Sequence, residues 1–231
     1  MAENPFDEPM VQDELDKALR WVSASREILD GVDFVTTPRV RISCSYHRIS
    51  MEHQTAILML TQGQIMASAK ALLRPQFDTF IRGVWVMEAA TEEEIRDYHQ
   101  KGVKSGVPPR YEIVFKALDT VERFDTSFSD LHKKFLPLLH DFTHGGIHQV
   151  GAFNSRDSIE SNFSPEDVIV TLRASATLGL LACNELAGNC QREDLSVRLG
   201  ESHRAIYGLD HGKFDLEPGI VQSPQKPISQ V

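Results

Sequence analysis

The sequence predicts an all-α chain, a mostly antiparallel helical bundle, and three observations carry that expectation. Apolar residues recur at helical spacing in nearly every periodic segment, and no alternating strand-like run is flanked by turn residues. The third observation is a strong helix start at Ser164-Pro165-Glu166-Asp167, with a capping serine, proline at the first helical position and two acids at the positive end of the dipole. Helices are expected near residues 10–30, 45–61, 64–90, 92–101, 110–123, 128–144, 164–192 and 194–208. The domain reading is a flexible start over 1–9, one bundle domain over 10–210 and a flexible tail over 211–231.

Taken in order, the first two helices rest on periodicity alone, and Gly63 separates the second from the third. In the third, Leu73, Phe77, Phe80, Ile81, Val84 and Trp85 share one broad apolar arc, and Arg74 falls inside it. Pro75 removes a backbone donor there, so a kink or a restart is expected beside the arginine. A guanidinium cannot shed its charge, so an inward Arg74 requires an acid, and Asp78 one turn on is the nearest. Leu131, Phe135, Leu138, Leu139 and Phe142 make the apolar arc of the sixth helix, with His140, Asp141 and His144 together on a flank away from it. Residues 145–163 read as a long loop carrying His148, Arg156 and Asp157, the length of a lid or binding loop. Ser175, Gly179, Cys183 and Ala187 form a small-residue stripe on the seventh helix, suited to close packing inside the bundle or to a homodimer seam. Past residue 211, Pro218, Pro224 and Pro227 with few large apolar residues predict a loose tail.

Composition narrows the function classes. The chain has 231 residues, 41% hydrophobic, enough for a core without staples. Its three cysteines, Cys44, Cys183 and Cys190, form no CxxC pair, which fits a reducing cytoplasm. The acidic start lacks the pattern of a signal peptide, and no stretch approaches the ~18 apolar residues of a membrane span, so no membrane partner is expected. A net charge of −9 opposes nonspecific nucleic-acid binding. The local exception is the run from Arg39 to Arg48, basic and without an acid, read as a solvated helix start or loop.

Two segments concentrate the chemistry. Histidines at i and i+4 beside a carboxylate suit zinc, iron or manganese, so His140, Asp141 and His144 are an alternative metal set. The preferred expectation is no metal and no cofactor, with those histidines ending a helix. The string Leu138-Leu139-His140-Asp141 also looks like the His-Asp pair of metal-dependent HD phosphohydrolases; His99 or His132 and Asp157 or Asp167 would have to complete that set. No nucleophile elbow, phosphate loop or dinucleotide fingerprint is present.

The same two segments carry a resemblance. Leu72, Arg74, Pro75, Phe77, Asp78, Arg82, Gly83 and Trp85, then Asp141, Phe142, Thr143, His144, Gly145 and Gly146, resemble the signature of an uncharacterised group of bacterial helical proteins related to HEPN-like bundles. The likeness spans roughly residues 45–150. Asp78 stands where a glutamate is expected and Phe142 where a tyrosine is frequent. The resemblance implies an antiparallel bundle, commonly a homodimer, and a context of phage defence or toxin–antitoxin pairs, hence a protein partner or antitoxin. Active HEPN members are metal-independent ribonucleases with a paired Arg-x4–6-His motif. Here Arg41…His47, Arg48…His53, Arg198…His203 and Arg204…His211 fit that spacing, and none falls in the two segments. The residues singled out as a catalytic pair are Arg74 and His144, supported by Asp78, Arg82, Asp141 and His140. Against that ribonuclease reading stands the favoured one, a non-catalytic or partner-binding bundle in which Arg74 and its acid form a buried polar bridge.

Overall fold

The computed structural model describes residues 4–33, 37–124, 127–154 and 159–208; Arg156, Asp157 and the expected tail from residue 211 lie outside them. The described residues form nine α-helices and two 3-10 turns, and no strand occurs among them. The helices are α1 (Pro9–Leu29), α2 (Pro38–Gln62), α3 (Met66–Glu88), α4 (Glu92–Lys101), α5 (Tyr111–Leu118), α6 (Phe128–Thr143), α7 (Ile147–Gly151), α8 (Pro165–Asn189) and α9 (Glu193–Tyr207).

Most boundaries follow the sequence signals, and four differ for local reasons. Helix α2 starts earlier than its periodicity suggests because the Thr37 hydroxyl caps Val40 N–H and Pro38 fills the first turn, so the basic run from Arg39 lies inside the helix. Helix α5 ends at Leu118, where the chain folds into successive turns. Helix α7 sits within the expected loop. At the N-terminus, Pro5–Asp7 make a 3-10 turn that buries Phe6.

Helices α2, α3 and α8 form the centre. Ser43 bonds Gly83 O and Ser50 bonds Gln76 O, so α2 and α3 run antiparallel; Lys70 meets Asp167 and Gln76 meets Ser175, so α3 and α8 run parallel. Helices α1 and α9 close one side, through Glu14–Arg173 and Trp21–His203. Helices α5 and α6 cover the other side of α3, with the Phe115 ring stacked on Phe77.

The central seam is unusually polar. Gln76 donates to Ser175 O at 2.9 Å and accepts from the Ser175 hydroxyl at 2.8 Å, while Asn189 donates to the Ser43 hydroxyl at 2.8 Å. These bonds satisfy polar groups that would otherwise be costly to bury. The small-residue stripe belongs to this seam: Ser175, Gly179, Cys183 and Ala187 are all buried, and the Gln54 amide occupies the space a Gly179 side chain would need. The stripe is an intrachain packing surface, and the homodimer-seam reading of it is corrected accordingly.

Helix α3 runs unbroken through Pro75, so the expected restart at Arg74 does not occur. The proline leaves Ala71 O without its helical donor. The Thr143 hydroxyl lies 3.4 Å from that oxygen, although its single proton is drawn more strongly to Leu139 O at 2.8 Å.

Candidate functional site

Arg74, Asp78 and Arg82 succeed one another at i, i+4 and i+8 along one face of α3. Arg74 and Asp78 form an ion pair with Nε–Oδ2 of 3.7 Å, their side chains only 16% and 20% exposed. The pairing is loose: Arg74 Nη1 and Asp78 Oδ1 are both buried without a hydrogen-bond partner in good geometry. Burial raises the Asp78 carboxyl above its ordinary value, opposed by the Tyr111 hydroxyl and then by the charges of Arg74 and Arg82. Tyr111, from the start of α5, is pushed up to about 12 by burial and by Asp78. The Arg82 guanidinium lies 5.0 Å from the centre of the Tyr111 ring, a cation–π contact. The hydroxyls of Tyr46 from α2 and Tyr98 from α4 approach each other to 3.4 Å. The inward arginine read from sequence is thus part of a polar cluster shared by α3 and the start of α5.

The second segment has a different use. Asp141 Oδ2 accepts from His148 N–H at 3.1 Å and lies 3.3 Å from His148 Nδ1, so the carboxylate closes the first turn of α7. Gly145 takes φ of +66°, and the Asp141 carboxylate fills the space where a Gly146 side chain would project. Phe142 is buried against Lys70, whose ammonium lies 4.9 Å from the Phe142 ring and 5.1 Å from the Phe163 ring while pairing with Asp167. Burial would raise Asp167, but Lys70 and the Ser164 cap hold it below its ordinary value. His140 and His144 stand exposed, ring centres 4.2 Å apart.

No hydrogen bond, ion pair or ring contact joins Arg74 to His144 among the described residues. The structure brings Arg74, Asp78 and Arg82 together, and separately His140 with His144 and Asp141 with His148. Among the described residues, no three His, Cys, Asp or Glu side chains gather as a metal set, because Asp141 is engaged at α7. Of the residues the HD pattern would require, His132 packs on Phe115 at 4.8 Å and Asp167 caps α8. Two of the four Arg-x4–6-His matches end on buried histidines, His47 and His203; Arg48…His53 lies on α2, and His211 is outside the described residues.

Three tyrosines had no sequence signal of their own. Tyr46, Tyr98 and Tyr111 lie on separate helices. His47 is wholly buried with neither ring nitrogen bonded, and burial, then Arg123, pushes it down to about 3. Its ring lies where a Gly83 side chain would go, which accounts for glycine in the Arg82-Gly83-Val84-Trp85 string. All three cysteines are free and buried, Cys44 pushed up to about 11 and Cys183 to about 12, so these thiols are poor nucleophiles.

A shallow cavity of about 490 Å³ opens between the start of α3 and α7, lined by Ala67, Gln149, Val150, Phe153, Asn154 and Ile159. Val150 and Ile159 in its lining are exposed, as is Ile147 at the start of α7. No helix among the described residues is long and apolar enough to cross a membrane. No curated protein and no solved structure matches the chain. A family model does match, over residues 47–207, from within α2 to the end of α9, and so takes in both segments; the chain belongs to a family of unknown function, DUF6988.

Proposed function

We propose that this protein is a non-catalytic, HEPN-like helical bundle that acts by binding a protein partner, with Arg74–Asp78 as an internal polar bridge. The observation that supports this most is the separate employment of the two segments. Arg74 and Asp78 engage each other and the start of α5, whereas Asp141 closes the turn into α7. Among the described residues no hydrogen bond, ion pair or ring contact links Arg74 to His140 or His144, whereas acid–base cleavage of a phosphodiester needs an arginine and a histidine acting together. The net charge of −9 also disfavours RNA. The exposed apolar side chains Ile147, Val150 and Ile159 offer a face for a partner. A second copy of the chain, or an antitoxin in a bacterial defence context, follows from the family resemblance.

The ribonuclease alternative draws on one observation, the adjacent and exposed His140 and His144, which offer an acid and a base side by side. Incubating total RNA with the purified protein separates the readings. The bundle reading expects intact RNA, and it expects Arg74→Ala to lower stability by about 1–3 kcal/mol, since Asp78 loses its countercharge. RNA cleavage that disappears in the Arg74→Ala, His144→Ala double variant would overturn it.

A further inference from the structure

The end of α6 presents two imidazoles that the bundle does not use. His140 and His144 are both exposed, stand one turn apart on one face, and bring their ring centres to 4.2 Å with the planes inclined by 44°. Among the described residues, neither imidazole is hydrogen-bonded or ion-paired, and the ring contact each makes is with the other. Asp141, which lies between them in sequence, is engaged elsewhere: its carboxylate accepts from His148 N–H and closes the first turn of α7. The donor set thus shrinks to two ring nitrogens. Two are enough for a chelate when one helix face holds them at i and i+4.

The spacing bears on which ion fits. A ring nitrogen holds a late transition metal at about 2 Å, which puts each ring centre about 3 Å from the ion. With both rings presenting a nitrogen to one ion, centres 4.2 Å apart subtend close to a right angle. That is the angle between neighbouring ligands of a tetragonal centre, whereas the wider tetrahedral angle of zinc would set the ring centres about 5 Å apart. Imidazole in tetragonal geometry suits copper(II) and nickel(II). The carbonyl end of α6 adds the negative pole of the helix dipole, which favours a cation there.

We propose that His140 and His144 form a two-nitrogen surface site for a divalent late transition metal ion, with copper(II) and nickel(II) preferred to zinc. The remaining positions of the ion are open to water or to a donor group from a bound partner. This goes beyond the partner-binding reading and does not depend on it.

The test is calorimetric titration of the full, tag-free chain with the chlorides of nickel, copper(II), zinc and magnesium, with the histidine ring signals followed by NMR. Nickel and copper should each fill a saturable site and broaden the His140 and His144 signals before those of the other histidines. Magnesium should not bind there, since it prefers oxygen ligands. His140→Gln and His144→Gln should each weaken nickel binding about tenfold or more, because a single imidazole loses the chelate. Both replace exposed side chains, and metal-free melting checks that each variant folds. His99→Gln, at an exposed lone histidine of α4, should leave nickel binding unchanged. Absence of saturable binding, undiminished affinity in either α6 variant, an equal loss in His99→Gln, or tighter binding of zinc than of nickel would overturn the proposal. RNA integrity and Arg74→Ala stability play no part in this readout, so its failure is distinct from failure of the bundle reading.

Discussion

Replacing Gly83 by alanine isolates a close contact between α2 and α3 in the centre of the bundle. A Cβ at that position would stand 2.6 Å from His47 Cε1, 2.8 Å from Nε2 and 2.9 Å from Nδ1, well inside van der Waals contact. The imidazole has nowhere to go: it is 0% exposed and lies 6.0 Å from the Phe80 ring. Overpacking of this kind costs about 1–3 kcal/mol, and a ring held between two backbones belongs at the upper end. Alanine in a helix interior returns about 1 kcal/mol relative to glycine. The net expectation is a destabilisation of about 2 kcal/mol, a fall in Tm of roughly 4–8 °C for a domain of this size. In a His47→Ala background the clash is absent and only the propensity gain remains, so the same substitution should stabilise by about 1 kcal/mol. Urea unfolding of the four proteins in this double-mutant cycle therefore yields a coupling of about 3 kcal/mol. A neutral Gly83→Ala, or one with the same effect in both backgrounds, would refute the contact argument.

Three further outcomes follow from the same packing. His47 takes its proton more readily when unfolded, since its folded pKa of about 3 lies below the ordinary 6.5. Its contribution is therefore complete above pH 6.5 and fades as pH falls toward 3, about 2 kcal/mol being lost by pH 5. The raised Asp78 carboxyl acts in the opposite sense, its contribution present below 3.8 and lost as pH rises through its folded value, so comparing wild type with His47→Gln between pH 5 and 6.5 isolates the histidine. Lys70→Ala should cost about 2–4 kcal/mol, because Asp167 loses its pair and Phe142 and Phe163 lose the stem between them; chemical denaturation measures it, and an unchanged midpoint would sink the claim. Gly146→Ala should displace the Asp141 carboxylate and open the α6–α7 turn, seen as faster amide exchange at His148 with little change in α2.

The helix pattern was legible because helical period is a local property, and so was the half-burial of Arg74 against Asp78. What periodicity leaves open is the neighbour across each face. Tyr111 comes to Arg82 from α5 and Tyr98 of α4 meets Tyr46 of α2, and nothing in their own spacing announces it. The Ser175 to Ala187 stripe signals close approach, yet only the fold says that the approaching element is α2 with Gln54. Helix α7, with five residues, is too short to show a period. His140, Asp141 and His144 share a helix flank in sequence, but the turn at Gly145 brings the N-terminus of α7 back to Asp141 and takes that carboxylate away from them.

The packing of the first helix on α8 and α9 bears on how this chain reaches its fold. Glu14 and Arg173 are 159 positions apart, and Trp21 packs edge-on against His203 at 4.8 Å. Contacts at such separation come late, after much loop entropy has been lost. During synthesis, α1 finds only part of the cover for Val11, Leu15, Ala18 and Trp21 in α2 and α3, and the rest must wait until α8 and α9 have emerged. The chain therefore passes through a period in which its first helix is sticky, and a truncation that removes α9 leaves Trp21 without the His203 ring against it.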